Sequence, residues 1–293
     1  MPRDTVEETI ERFKSQLPPD DVSWLYEQTR SAQSMPPVGW ENWQVILNGK
    51  RHHAGFMPSG RAQQMADWVS NVRKEGDLWQ WDASDESLQT RSATLQDWLY
   101  QSHLTGDICD WRDELQDWIP DSTLHTTDSV DDGVAIGLRI ERSGFRHLGL
   151  RSRAVHVNGF TSDGKLVVGL RSTLKKIDPG RFDNLMAGGI SAGESWKQTF
   201  AREMMEEAGL QANLWPQMVC SGTIHTCRPE GASWHSETLI ICHVVIPNGV
   251  HPLNQDGEVE RFATFDAQEA LFRMRAGQFT QDGVIALAVS LLS

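Results

Sequence analysis

A chain of 293 residues is long for one ordinary domain and allows two, each able to bury its own core. With 39% apolar and 23% charged residues it has globular proportions, which exclude a fibrous or disordered class. Its 27 Lys+Arg against 40 Asp+Glu give a formal charge of −13, a surface that repels a polyphosphate backbone, so no nucleic-acid partner is expected.

The start, "MPRDTVEETIERF", lacks the apolar core of a signal peptide, and its acids argue against a transit peptide. No apolar run approaches a membrane span, so no membrane partner is expected either. The cysteines, Cys109, Cys220, Cys227 and Cys242, form no CxxC pair, which fits reduced thiols and a cytoplasmic location. Residues 2–32 read as a polar helix, stopped by the prolines of "SMPPVG". "WQVILNGKRHHAGF" predicts a hairpin turning at Asn48-Gly49.

"SGRAQQMADWVSNV" spaces Met65, Trp68, Val69 and Val72 as one helical stripe. Leu95, Trp98 and Leu99, and then Leu115, Trp118 and Ile119, suggest further amphipathic helices. Nine of the twelve tryptophans lie between Trp24 and Trp118, and their helical spacing reads as core rather than as a base-stacking platform. From about Asp132 the period changes to β-branched runs bounded by Gly, Asn, Asp and Pro, as in "RAVHVNGFTSDGKLVVGLRS" and "ETLIICHVVIP". The domain boundary is therefore expected within 121–135, dividing an accessory domain, 1–130, from a second domain, 131–293.

The stretch "GGISAGESWKQTFAREMMEEAGL", Gly188 to Leu210, carries the chemistry. Ser195 and Gln198 form a capping-box pair that starts a helix at Trp196, and Gly209 ends it. Phe200, Met204 and Ala208 recur every four residues and pack inward. At roughly 100° per residue, Glu203, Glu206 and Glu207 fall within an arc of roughly 100° and converge on one spot. Such carboxylates repel one another unless a cation sits among them, and oxygen ligands of this kind suit Mg²⁺ or Mn²⁺. "AGGISAG" lets the backbone approach an ion or anion closely, and the fork of Arg202 can hold a carboxylate in place. A solvated acidic helix face would explain a lone Glu pair. It does not explain the longer pattern of Gly188, Glu194, Arg202-Glu203-Met204, Glu206-Glu207 and Gly209-Leu210.

That pattern resembles the 23-residue box of the Nudix hydrolases at every defining position. The resemblance implies an α/β (α+β) fold over roughly 135–293: a Nudix α/β/α sandwich whose mixed sheet lies between helices, preceded by a smaller, mostly helical α+β domain. It implies a Mg²⁺-dependent enzyme that hydrolyses a small-molecule diphosphate, with Glu203, Glu206, Glu207 and the Gly188 carbonyl as metal ligands. Glu206, Glu207 and Arg202 are the box's catalytic candidates, with Glu258 or Glu260 of "DGEVERF" as loop candidates for the base.

The flanking "HVNGF", "RSTLKKIDPGRFDNLMAGGI" and "DGEVERF" resemble the Nudix group associated with fungal thiamin pyrophosphokinases and its stand-alone relatives. In that group an Arg-Ser, a Lys, a Pro-Gly and an Asp-Asn precede the box. Here they fall on Arg171-Ser172, Lys175, Pro179-Gly180 and Asp183-Asn184. By this resemblance the substrate is thiamin diphosphate or an oxo or oxy derivative of it. Arg171 and Lys175 would grip the distal phosphate, and Asp183 and Asn184 would orient the loop or meet an amino-pyrimidine. Trp234 is either a stacking partner for a heterocycle or a core residue. The accessory domain would cap the pocket or supply a homodimer surface. Another nucleoside diphosphate derivative as substrate, or a non-catalytic ligand sensor, are the competing readings.

Overall fold

The computed structural model describes residues 5–120, 136–211 and 218–292, so the boundary expected at 121–135 lies outside the described residues. The single helix expected over 2–32 is two, α1 (Val6–Lys14) and α2 (Pro19–Arg30). Pro18 and Pro19 offer no N–H to the preceding turn, which ends α1, while Pro19 is well suited to the first turn of α2. A capping box between Thr5 and Glu8 starts α1. Phe13 and Leu25 of these helices are fully buried against the C-terminal helix, so α1 and α2 pack into the core of the second half.

Strands β1 (Trp40–Leu47) and β2 (Lys50–Pro58) form the expected hairpin. Asn48 and Gly49 have φ of 50° and 73°, the pair of positive values that a two-residue turn of this hand demands. After α3 (Ser59–Trp68), strands β3 (Val72–Glu75) and β4 (Leu78–Asp82) complete a sheet of order β2-β1-β4-β3. The stripe expected through Val72 is shorter than its spacing suggested. The helix stops at Trp68, whose side chain is exposed, and Val72 belongs to β3. Helix α4 (Leu88–Leu104) buries Leu95, Trp98 and Leu99, as its period predicts.

Leu115–Trp118 is strand β5, not a helix, and pairs antiparallel with β6 (Leu138–Glu141). Three apolar positions within five residues are too few to separate the periods, and cross-strand pairing decided the outcome. Helix α5 (Arg142–Leu148) ends at Gly149, whose φ is 69° and where a Cβ would sit 2.2 Å from the Phe56 carbonyl oxygen. One apolar cluster runs from Trp43 to Leu150, so the packing of the accessory half continues past residue 131.

The second half is built on β7 (Ser152–Thr161), β8 (Leu166–Arg171), β9 (Phe182–Asp183), β10 (Met186–Gly189), β11 (Val219–Glu230), β12 (Ser233–Ile246) and β13 (Val259–Phe265). The main order is β11-β12-β7-β8-β13, with β10 on β7 and β9 on β8. β12 and β7 run parallel and the other pairs antiparallel, so the sheet is mixed. Helix α6 (Trp196–Ala208) covers the face that carries Val155 and Val157. On the opposite face α1, α2, α7 (Ala267–Arg275) and α8 (Gln281–Leu292) enclose Phe160, Leu166 and Phe265. Alternation along β7 sends odd and even residues to opposite layers, giving the expected α/β/α sandwich.

Trp234 is buried between Trp40 and Phe56, at ring centroid distances of 6.0 and 5.7 Å, and joins the two halves. Its place is structural. Among the described residues no helix is long and apolar enough to cross a membrane.

Candidate active site

The box helix forms for the local reasons its sequence gives. Ser195 Oγ accepts from the Gln198 N–H at 3.3 Å, and Gln198 Oε1 accepts from the Ser195 N–H at 2.8 Å. Gly209 closes the helix with φ 64°. Phe200, Met204 and Ala208 anchor α6 on the sheet, which turns Glu203, Glu206 and Arg202 toward the adjoining cleft.

Arg202 organises the acids. Its Nε and Nη2 each bond Glu194 at 2.9 Å, and its Nη1 donates to Glu203 Oε1 at 2.8 Å and Glu206 Oε2 at 3.0 Å. The paired bonds to Glu194, with the charges of Glu203 and Glu194, hold the guanidinium protonated far above its ordinary range. Glu207 points down against β10 and accepts the Ala187 N–H at 3.1 Å. At Gly188 a Cβ would lie 2.3 Å from the Glu203 carboxyl carbon, so only glycine lets this acid rest on β10.

Two of these carboxyl groups are held away from ionisation. Burial pushes Glu203 up to about 7 against the pull of Arg202. Burial, joined by the charge of Glu203, pushes Glu207 well above the ordinary carboxylate range. A cation placed among them would relieve both costs. Glu203, Glu206 and Glu207 offer only hard oxygen donors, the chemistry a hard divalent ion takes, but as they rest here the three do not bring one oxygen each within 4.8 Å of the others, because Arg202 holds Glu203 and Glu206 while Glu207 turns to the Ala187 N–H.

The cleft has a volume of about 620 Å³. Arg171, Lys175 and Glu258 line it beside the acids of α6. Lys175 Nζ donates to Glu258 Oε2. Burial alone would raise Glu258, but this bond and the charges of Lys175, Arg142 and Arg171 hold it below the ordinary value. Glu258 is thus ionised where Glu203 and Glu207 resist ionisation. Glu260 is exposed and outside the cleft lining. The two acids are two residues apart, and a bulge between Val259 and Arg261 breaks the alternation that would have given them one face.

Asp183 and Asn184 part company. Asp183 reaches the cleft, binds Arg171 Nη1 at 3.2 Å and accepts from Thr280 Oγ1 at 2.9 Å. Asn184 lies behind the wall, where its Nδ2 donates to Asn158 Oδ1 at 2.6 Å and its Oδ1 meets His156 Nδ1 at 2.8 Å. Arg171 is also tied down, since its Nη2 donates to the Ile177 carbonyl at 3.0 Å.

The accessory half supplies contacts to the box loop that the sequence alone did not reveal. Leu115 O accepts from the Ala192 N–H at 2.8 Å, Asp117 Oδ2 from the Gly193 N–H at 2.9 Å, and Glu114 Oε1 from Ser191 Oγ at 3.1 Å. Strand β5 thereby holds the glycine-rich loop of the box. The acids preceding tryptophan in "ELQDWI" were a visible signal, but their partners lie more than seventy residues away.

Residues 150–285 match the family model described as NUDIX domain, and this segment is a Nudix domain. A protein of Arabidopsis thaliana, "Nudix hydrolase 24, chloroplastic", is 30% identical over 156 residues, which span 52% of this chain and 43% of that protein. "Nudix hydrolase 20, chloroplastic", of the same plant, is 32% identical over 126 residues, 42% of this chain and 34% of its own. The chain thus spans less than half the length of these two relatives. A solved structure from Deinococcus radiodurans aligns with 61% of this chain and 100% of its own at 19% identity, with a TM-score of 0.46.

Proposed function

We propose that this chain is a hydrolase of a small-molecule diphosphate that depends on Mg²⁺ or Mn²⁺, held by Glu203, Glu206, Glu207 and the Gly188 carbonyl. The observation that carries this reading is the pair of carboxyls, partly buried Glu203 and buried Glu207, kept from ionising at the edge of a charged cleft. A divalent ion in that set supplies Lewis acidity toward phosphoryl oxygens.

The chain's own groups do the rest. Arg202 fixes Glu203 and Glu206, and the Ala187 N–H fixes Glu207, so the ligands are oriented before a substrate arrives. Glu258, ionised and within the cleft, takes the proton of the attacking water. Lys175 keeps Glu258 charged and, with Arg171, faces the distal phosphate. Asp183 braces Arg171, and Asn184 braces the strand behind it.

For the substrate we propose thiamin diphosphate or an oxo or oxy derivative, cleaved to the monophosphate. Its support is the Arg171-Ser172, Lys175, Pro179-Gly180, Asp183-Asn184 pattern, three of whose members, Arg171, Lys175 and Asp183, line the cleft. A second reading is another nucleoside diphosphate derivative, whose diphosphate the same cleft cations, Arg171 and Lys175, would meet, and Trp234 does not separate the two. Trp234 is packed between Trp40 and Phe56 and offers no face to a heterocycle. A cytoplasmic site of action accords with cysteines that form no disulfide among the described residues.

The test is product release with Mg²⁺ across thiamin diphosphate, its oxo and oxy forms, nucleoside diphosphate sugars and dinucleotides. Turnover of the thiamin compounds alone supports the first reading. Turnover of another class replaces it with the second, and turnover of none removes the hydrolase.

A further inference from the structure

The cleft has a second wall that the box does not supply. Residues 110–117 and 138–146 build it around Glu141, which is fully buried. One Glu141 oxygen accepts the Arg112 N–H at 3.0 Å and the other the Glu114 N–H at 3.0 Å. The Arg142 N–H in turn bonds the Glu114 carbonyl at 2.9 Å. These bonds fix both sides of the wall, so Arg112 and Arg142 are presented to the cleft from a rigid frame.

Neither guanidinium is committed to a buried acid. Arg142, with 44% of its side chain exposed, spends Nη1 on Glu114 Oε2 at 2.6 Å and makes no other side-chain hydrogen bond among the described residues. Arg112, 41% exposed, holds Asp110 at 3.0 and 3.3 Å. Both partner acids are themselves reached by water, and such exposed pairs exchange at little cost. A phosphoryl group, with more charge and more acceptor oxygens, is the better partner for a planar fork. Arg142 lines the same cleft as the Lys175–Glu258 pair.

We propose that Arg142, together with Arg112, forms an anion subsite contributed by the accessory half, which takes a phosphoryl group of the substrate other than the one at the α6 carboxylates. This rests on the hydrolase reading above and deepens it. The group is either the terminal phosphate of a diphosphate monoester, met there jointly with Arg171 and Lys175 across the cleft, or a separate phosphate ester on a substrate whose diphosphate is internal. A substrate with an internal diphosphate and no further phosphate leaves the subsite empty and gains nothing from it.

The experiment compares three compounds in Mg²⁺ buffer: thiamin diphosphate, a nucleoside diphosphate sugar, and the same sugar nucleotide with a phosphate on its ribose 2′-hydroxyl. For Arg142→Ala the expected result is a KM raised about tenfold or more for thiamin diphosphate or for the 2′-phosphorylated compound, with kcat within about twofold. The unphosphorylated sugar nucleotide should keep its KM. Arg142→Lys should recover part of the loss. An effect on thiamin diphosphate assigns the subsite to a terminal phosphate, and one on the 2′-phosphorylated compound to a separate ester. Unchanged KM in both Arg142→Ala and Arg112→Ala, or an equal rise for all three compounds, overturns the proposal. Should the wild-type protein hydrolyse none of them, calorimetry with methylenediphosphonate and Mg²⁺ decides separately: binding about tenfold weaker in Arg142→Ala supports the subsite, and equal binding removes it.

Discussion

Asp117, on a strand of the accessory half, accepts the Gly193 N–H of the box loop at 2.9 Å, while Arg139 grips the same carboxylate at 2.7 and 2.9 Å. Gly193 has φ 80°, a conformation that the loop sustains with its amide anchored in this way. The active-site loop is therefore a joint product of two parts of the chain that sequence order keeps apart.

Replacing Asp117 by alanine strands the Gly193 amide and frees Arg139. The expected cost is about 1–3 kcal/mol in urea denaturation, with a fall in kcat, because the loop carries Gly188 and Glu194. Asp117→Asn keeps an acceptor and should lose less of both. A fully active, fully stable Asp117→Ala protein would show that the junction is ornamental.

Gly188→Ala probes the approach of Glu203 to β10. The added Cβ would meet the Glu203 carboxyl carbon at 2.3 Å, so the acid must leave its position. Overpacking of this kind costs about 1–3 kcal/mol. Calorimetry with Mg²⁺ should show affinity at least about tenfold weaker, and unchanged affinity would separate Gly188 from the metal set.

The pH dependence of the metal-free protein follows from the same acids. Glu203 is raised from 4.5 to about 7 and Glu207 well above 4.5, so the folded chain holds protons that the unfolded chain has released. Their favourable contribution is complete below the unfolded value and is lost as pH rises through the folded one. Thermal melts in chelator should therefore show Tm falling from about pH 5 to pH 8 on account of these groups. Added Mg²⁺ should raise Tm more at pH 8 than at pH 5. Equal Mg²⁺ shifts at both values would contradict a metal bound by Glu203 and Glu207.

Much of the box was legible in the sequence because its causes are local. The capping pair Ser195/Gln198, the inward Phe200, Met204 and Ala208, and the closing Gly209 all act within one helix. The Asn48-Gly49 turn was readable for the same reason. Leu115–Trp118 was not, since a four-residue segment has no period of its own and its state was decided by the distant Leu138–Glu141. Nor could spacing tell which of Glu258 and Glu260 lines the cleft, because a bulge breaks the alternation between them. Arg112 and Arg142 were invisible as site residues because the buried Glu141 that sets their frame acts through the folded chain.

The most direct measurement is the turnover of the best diphosphate substrate by wild type and Glu207→Gln, with Mg²⁺ and with chelator. Glu207 contributes an all-but-buried carboxyl held by the Ala187 amide, so the glutamine variant should fold as well as wild type. Metal binding by Glu207 implies Mg²⁺-dependent cleavage by wild type, abolished by chelator and reduced at least about a hundredfold in Glu207→Gln. Equal turnover by the two proteins, or cleavage indifferent to chelator, would contradict it.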